Sequence, residues 1–206
     1  MILYIDTSTS FLYTGIVDNN SLIGSRKVEL GPLMSSNALN EIASMFEENK
    51  LSPKDIKKII VVNGPGSFTG IRIGVTIAKT YAWSFDIPII QGSGLEAMAI
   101  STDENTFLVP VLDARRDYIF GAIYTVDKKE YYSPKHVEIT ELESQLSELD
   151  DYIIITNDEV NIKGRRVTYD PDILKIVNIF REYDTISPHQ VNPDYLKLTE
   201  AEESRM

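Results

Sequence analysis

No cysteine occurs among the 206 residues, so disulfides, thiolate metal sites and cysteine nucleophiles are excluded. Histidine is nearly as scarce. His136 and His189 lie far apart in polar stretches and form no His-x-x-x-His pair. A zinc hydrolase needs clustered ligands, so both read as surface residues and no metal site is expected. No apolar run approaches the ~18 residues of a spanning helix, so no membrane contact is expected. The start, Met1-Ile2-Leu3-Tyr4-Ile5-Asp6, lacks the basic opening of a signal peptide. It predicts a first strand and a cytoplasmic location.

An excess of basic charge is also missing. The net charge is −11, and residues 101–206 hold 12 Lys and Arg against 22 Asp and Glu. Direct nucleic-acid binders draw affinity from neutralised phosphates, which argues against RNA contact as a main role. Arg115-Arg116 and Lys163 to Arg166 read as solvated loops.

The most informative stretch present is Asn63-Gly64-Pro65-Gly66-Ser67-Phe68-Thr69-Gly70-Ile71-Arg72-Ile73-Gly74. The run Ile59 to Val62 before it predicts a buried strand. Ile71 to Phe85 after it predicts a helix, capped by Ser67 or Thr69. Strand, glycine loop and helix can hold a phosphate or bring another backbone close. No lysine follows at P-loop spacing, and Gly64, Gly66 and Gly70 miss the dinucleotide spacing by one residue. Neither Ser67 nor Ser93 sits in a nucleophile elbow. Arg72 is unusual, because a cation in a first helical turn faces the wrong end of the dipole.

Along the chain, strands are expected at residues 1–7, 11–17 and 21–30, the last stopped by Gly31-Pro32. Leu39, Ile42, Ala43 and Phe46 fall at i, i+3, i+4, i+7 and predict a helix from a Ser36 cap to about Asn49. Ser93 and Glu96 make a capping box for a helix to about Ser101. Residues 102–106 read as a linker between an N-terminal subdomain, 1–101, and a divergent C-terminal one, 106–206. Strands follow at 107–113, 118–126, 130–139 and 152–156. One helix is expected from a Thr140/Glu143 capping box, and another opens at Asp170-Pro171. Residues 200–206 read as a frayed tail.

The hydrophobic strand ending on Asp6 and the one ending on Asp113 each turn into a second strand. That echo predicts two related subdomains facing one cleft. Asp6 and Asp113, with Thr7 and Ser8, are the candidate groups for a nucleotide or Mg²⁺ there. The other role for each aspartate is to satisfy its own turn.

Gly64 to Gly74 resembles the signature of the TsaB family, proteins of bacterial tRNA threonylcarbamoyladenosine biosynthesis once described as glycoprotease-like. Ile5-Asp6-Thr7-Ser8, Ile87-Pro88, Ser93-x-Leu95-Glu96-Ala97, Asp113-Ala114-Arg115 and Pro193-x-Tyr195-Leu196 extend the match. Residues from about Lys128 to Pro188 depart from the family pattern. The resemblance implies an α/β, actin-like, hexokinase-type (ASKHA) fold of two related subdomains. It implies a non-catalytic paralogue of the TsaD-like subunit that transfers threonylcarbamoyl to an adenosine beside the anticodon. Catalytic relatives carry His-x-x-x-His in the first subdomain, and Ser36 to Asn49 has no histidine. The implied partners are the TsaD-like subunit and a TsaE-like ATPase, with tRNA met only indirectly. The implied pairing face is Leu39, Ile42, Phe46, Ile73, Ile77 and Tyr81, which predicts a homodimer when the partner is absent. On this reading there are no catalytic residues, no cofactor is required, and the loop residues Gly64, Gly66, Ser67, Thr69, Gly70 and Arg72 are structural. The alternative is a nucleotide-binding ATPase or phosphotransferase using ATP or ADP with Mg²⁺.

Overall fold

A computed structural model describes residues 1–31 and 34–197, with residue 34 described by its backbone alone. The expected stop at Pro32 and the expected tail from Glu200 lie outside the described residues. The chain forms two units. One is Met1–Gly94 with Pro171–Asp194; the other is Leu95–Asp170 with Tyr195–Met206.

The first unit begins with strands β1 (Ile2–Asp6), β2 (Phe11–Asp18) and β3 (Ser21–Glu29). Helix α1 (Met34–Glu48), strand β4 (Lys58–Gly64), helix α2 (Phe68–Phe85) and strand β5 (Ile89–Ser93) follow. The sheet order is β3-β2-β1-β4-β5. Polar turns at Thr7–Ser10 and Asn19-Asn20 are short, so β1, β2 and β3 pair antiparallel. Each helical crossover returns the chain in the same direction, so β1, β4 and β5 pair parallel.

One face of this sheet buries Leu3, Ile5, Ile59 and Val61 against Ile42, Met45 and Phe46 of α1 and Ile71, Val75 and Ala78 of α2. On the other face lies α5 (Ile173–Phe180), from near the chain's end. It packs on β1, β2 and β3. A Cβ added at Gly15 would meet Ile173 at 3.0 Å, and one at Gly92 would overlap the Phe180 ring. Covering on both faces explains why β1 and β4 read as continuous apolar runs.

Helix α3 (Gly94–Ile100) leads into the second unit. Its strands are β6 (Phe107–Asp113), β7 (Tyr118–Tyr124) and β8 (Glu130–Glu138). Helix α4 (Ile139–Leu146) and strands β9 (Tyr152–Ile155) and β10 (Arg165–Val167) follow. The order β10-β9-β6-β7-β8 repeats the first sheet: third, second, first, fourth, fifth. The pairing senses repeat as well. Val109, Val111, Ile119 and Ile154 pack against Leu142 and Leu146 of α4. The loop after β9 contributes buried Val160 and Ile162, where the first unit has α2.

These units differ from a split into 1–101 and 106–206, because α5 returns to the first sheet. Several helix starts also differ from expectation. Helix α1 begins at Met34, so Ser36 lies inside its first turn. Strand β8 runs straight into α4, and Glu138, not Thr140, holds the cap position without a side-chain bond. Asp172 caps α5 by accepting from the Lys175 N–H at 3.0 Å, which leaves Pro171 before the cap. Strand β10 has two exposed arginines and only three residues, too little for a period-two signal.

Candidate functional site

The glycine loop is held by protein backbone. Strand β4 ends at Gly64, and Ser67 caps α2 by accepting from the Gly70 N–H at 3.2 Å. The Ser67 N–H donates to the Ser8 carbonyl at 2.7 Å. The Thr7 hydroxyl donates to the Gly70 carbonyl at 2.7 Å. Gly64 and Gly66 lie at φ 149° and 148°, in the region that favours glycine. A Cβ would overlap the Asp194 carbonyl from Gly64, the Ser8 carbonyl from Gly66 and the Thr7 carbonyl from Gly70. The loop is therefore packed against the β1–β2 turn on one side and the returning chain on the other. Asn63 extends the second contact: its carbonyl accepts from the Asp194 N–H at 2.7 Å, and its side chain donates to the Asn192 carbonyl at 3.0 Å.

Thr7 and Ser8 are buried, and so is Asp6 at 1 % exposure. One Asp6 oxygen accepts from the Ser8 N–H at 2.8 Å and the Ser8 hydroxyl at 2.7 Å. The other accepts from the Tyr4 hydroxyl at 3.4 Å. Burial pushes the carboxyl above its usual range, and these three hydrogen bonds oppose the shift. The raised folded-state pKa means this group favours folding below its unfolded value, near 3.8, and loses that contribution as pH rises through the folded value. Asp6→Asn keeps an acceptor for Ser8 and is expected to flatten that stretch of the stability–pH curve. Asp6→Ala orphans the Ser8 N–H and hydroxyl donors and is expected to cost about 2–4 kcal/mol near neutral pH. Urea titrations across pH separate the two variants. A wild-type slope retained in Asp6→Asn would contradict the assignment.

Asp113 serves its own turn in the second unit. Its carboxylate accepts from the Arg115 N–H at 2.8 Å, and its N–H donates to Asp158 at 2.8 Å. Both aspartates thus do the turn-satisfying chemistry open to them. His136 stacks on Tyr118 at 4.9 Å, and His189 is exposed in a loop. Among the described residues no group of three His, Asp or Glu side chains is placed to hold a metal ion.

The helix face differs from the expected one. Ile42 and Phe46 are 3 % and 5 % exposed and belong to the core. Ile73 and Ile77 are half-buried against Leu12, Leu30 and Ala38. Tyr81 is half-buried beside Phe46 and Phe85, and its hydroxyl donates to the Pro53 carbonyl at 2.6 Å. Only Leu39 of the six is exposed, at 56 %. The outer surface of α2 instead carries Phe68 at 54 % and Trp83 at 68 % exposure. The exposed Arg72 guanidinium lies 3.9 Å from the Phe68 ring centre, a cation–π contact, and because α2 starts at Phe68 this cation is the fifth residue of the helix and lies past its first turn, not in it as expected. Phe68, Arg72, Thr76 and Trp83 recur at i, i+4, i+8 and i+15, one row along the helix over about 22 Å. Their residue types were visible in the sequence. Their direction was not, since α2 is apolar nearly all round.

Two units with the same five-strand order, one carrying a glycine loop and α2 between its β4 and β5, define the actin-like, hexokinase-type class. The model of the TsaD family, tRNA N6-adenosine threonylcarbamoyltransferase, matches residues 33–150. The chain is 30 % identical over 219 residues to the tRNA threonylcarbamoyladenosine biosynthesis protein TsaB of Bacillus subtilis, covering 98 % of this chain and 96 % of that one. It is 30 % identical over 141 residues to TsaB of Escherichia coli, covering 66 % of this chain and 60 % of that one. YeaZ from Pseudomonas aeruginosa shares the fold, with a TM-score of 0.75 at 18 % identity over 95 % of this chain and 99 % of that one. The chain belongs to the TsaB family.

Proposed function

We propose that this chain acts in tRNA threonylcarbamoyladenosine biosynthesis as a non-catalytic subunit that pairs with a TsaD-like catalytic subunit through α1 and α2. The observation that carries the pairing is the exposed row Phe68, Arg72 and Trp83, with Leu39 on α1. Large aromatic and arginine side chains left in water on a helix whose other side is core are the residue types that anchor interfaces. The TsaD-family match and the TsaB relatives support the pathway. The absence of histidine in α1 supports a subunit without the catalytic metal ligands. A TsaE-like ATPase joins the assembly, tRNA is held by the partner, and the site of action is the cytoplasm.

Co-purification with the catalytic subunit, combined with depletion in cells, tests the proposal. Capture of the partner and loss of the modified adenosine are expected together. Neither one occurring would sink it. With no partner present, the same row is expected to seek cover in a second copy, so sedimentation should show a concentration-dependent homodimer. A monomer at all concentrations counts against this.

A nucleotide site at Asp6, Thr7 and Ser8 would show as micromolar binding of ATP with Mg²⁺, lost in Asp6→Asn. The engagement of Asp6 and Ser8 inside their own turn, and of Thr7 with the Gly70 carbonyl, favours the scaffold.

A further inference from the structure

We infer that two side chains, Lys79 and Tyr81, set the rotation of α2 about its own axis and so keep Phe68, Arg72 and Trp83 facing water for a partner. Hydrophobicity does not fix that rotation. Helix α2 is apolar nearly all round, and its buried residues include Gly70, Gly74, Ala78 and Ala82. Residues four apart form one ridge, and a ridge of such small side chains offers little to lock into a groove. Trp83 is 68 % exposed. A helix free to turn would gain by bringing that ring under cover. The Thr7–Gly70 bond fixes where the helix begins, not how its far end is turned.

Two hydrogen bonds oppose that turn. The Lys79 ammonium donates to the Val191 carbonyl at 2.8 Å, and the Tyr81 hydroxyl donates to the Pro53 carbonyl at 2.6 Å. Two residues span about 200° of a helix, so the bonds leave α2 on opposite flanks and rolling it stretches them. Both anchors are themselves held. Val191 is fully buried in the core that α2 joins. The next carbonyl, Asn192, accepts from Asn63 of β4 and from Gln91 of β5, each at 3.0 Å. Pro53 opens a one-turn 3-10 helix closed by a Ser52–Asp55 capping box, in the connection to β4. Satisfying two carbonyls is the simpler role for these donors. The Pro53 bond lies at the surface, however, where water would serve that carbonyl nearly as well. Lys79 is half-buried, whereas a lysine with no positioning role keeps its ammonium in water.

Trp83 is the chain's one tryptophan, so its fluorescence reads the rotation of α2 directly. Lys79→Met with Tyr81→Phe keeps the apolar bulk and removes both bonds. In the full chain without partner, acrylamide quenching of Trp83 is expected to fall in this double variant, with emission moving to shorter wavelength. Capture of the TsaD-like subunit is expected to weaken about tenfold, because only the correctly turned fraction pairs. Lys79→Arg keeps a donor and is expected to match the wild type in both measurements. Ile176→Val, a core change in α5 on the other face of the sheet, lowers stability by a similar amount and is expected to alter neither. Unchanged quenching in the double variant, the same change in Ile176→Val, loss in Lys79→Arg, or full capture despite altered quenching would each overturn the inference. The effect on capture rests on the pairing proposed above, whereas the fluorescence needs no partner. A wild-type chain that captures nothing therefore fails the pairing, and Trp83 still decides the rotation.

Discussion

Gly66→Val is expected to be severely damaging to the first unit, lowering stability by about 3–5 kcal/mol. Two costs combine. At φ 148° a β-branched residue is strained, and its Cβ overlaps the Ser8 carbonyl. Relieving the overlap pushes the loop off the β1–β2 turn and stretches the Ser67 N–H bond to Ser8, now 2.7 Å. That bond and the Thr7–Gly70 bond set where α2 begins. Folded domains hold a margin of only about 5–15 kcal/mol, so a variant that does fold should melt roughly 10 °C lower. Gly121→Ala is the control. Its Cβ meets a Leu142 methyl at 3.1 Å, a contact a flexible side chain can relieve, and about 1 kcal/mol or less is expected. Thermal unfolding by circular dichroism and partner capture should fall together in Gly66→Val. Loss of nucleotide binding, with stability and partner binding intact, would make the loop a ligand cradle instead.

The double variant Phe68→Ser/Trp83→Ser is expected to abolish capture of the TsaD-like subunit while leaving the fold in place. Both side chains are more than half exposed, so truncating them opens no cavity, and the melting temperature should move by no more than about 2 °C. Removing two aromatic anchors from a paired face is worth about 4 kcal/mol or more of binding, roughly a thousandfold in affinity. Phe68→Ser also removes the ring beneath Arg72, so the cation loses its seat. Ile42→Ser is the informative contrast. That residue is core, and its loss should lower stability before it affects pairing. Surface plasmon resonance against the catalytic subunit, read beside melting curves, separates the two classes. Unchanged affinity in the double variant would remove α2 from the interface.

Local pattern was legible wherever one physical cause dominated. The apolar runs that end on Asp6 and Asp113, with the turn chemistry after them, marked two strand pairs, and the two sheets repeat one topology. The glycines at 64, 66 and 70 announced close backbone approach because little else tolerates their spacing. What they approach was not legible, since Ser8, Thr7 and Asp194 are distant in sequence. Burial of Asp6 was hidden for the same reason, because a short polar turn reads alike in water or under a helix.

By itself the sequence determined most of the elements, the absence of thiol and clustered-histidine chemistry, and the family. Tertiary structure decided the rest. It placed α5 under the first sheet, because both faces of β1 and β4 needed cover and the nearer helices supply only one. It turned Ile42 and Phe46 inward and left Phe68 and Trp83 in water. Hydrophobicity measures how much a side chain gains by leaving water, whereas the direction it leaves in is set by how the helix is seated.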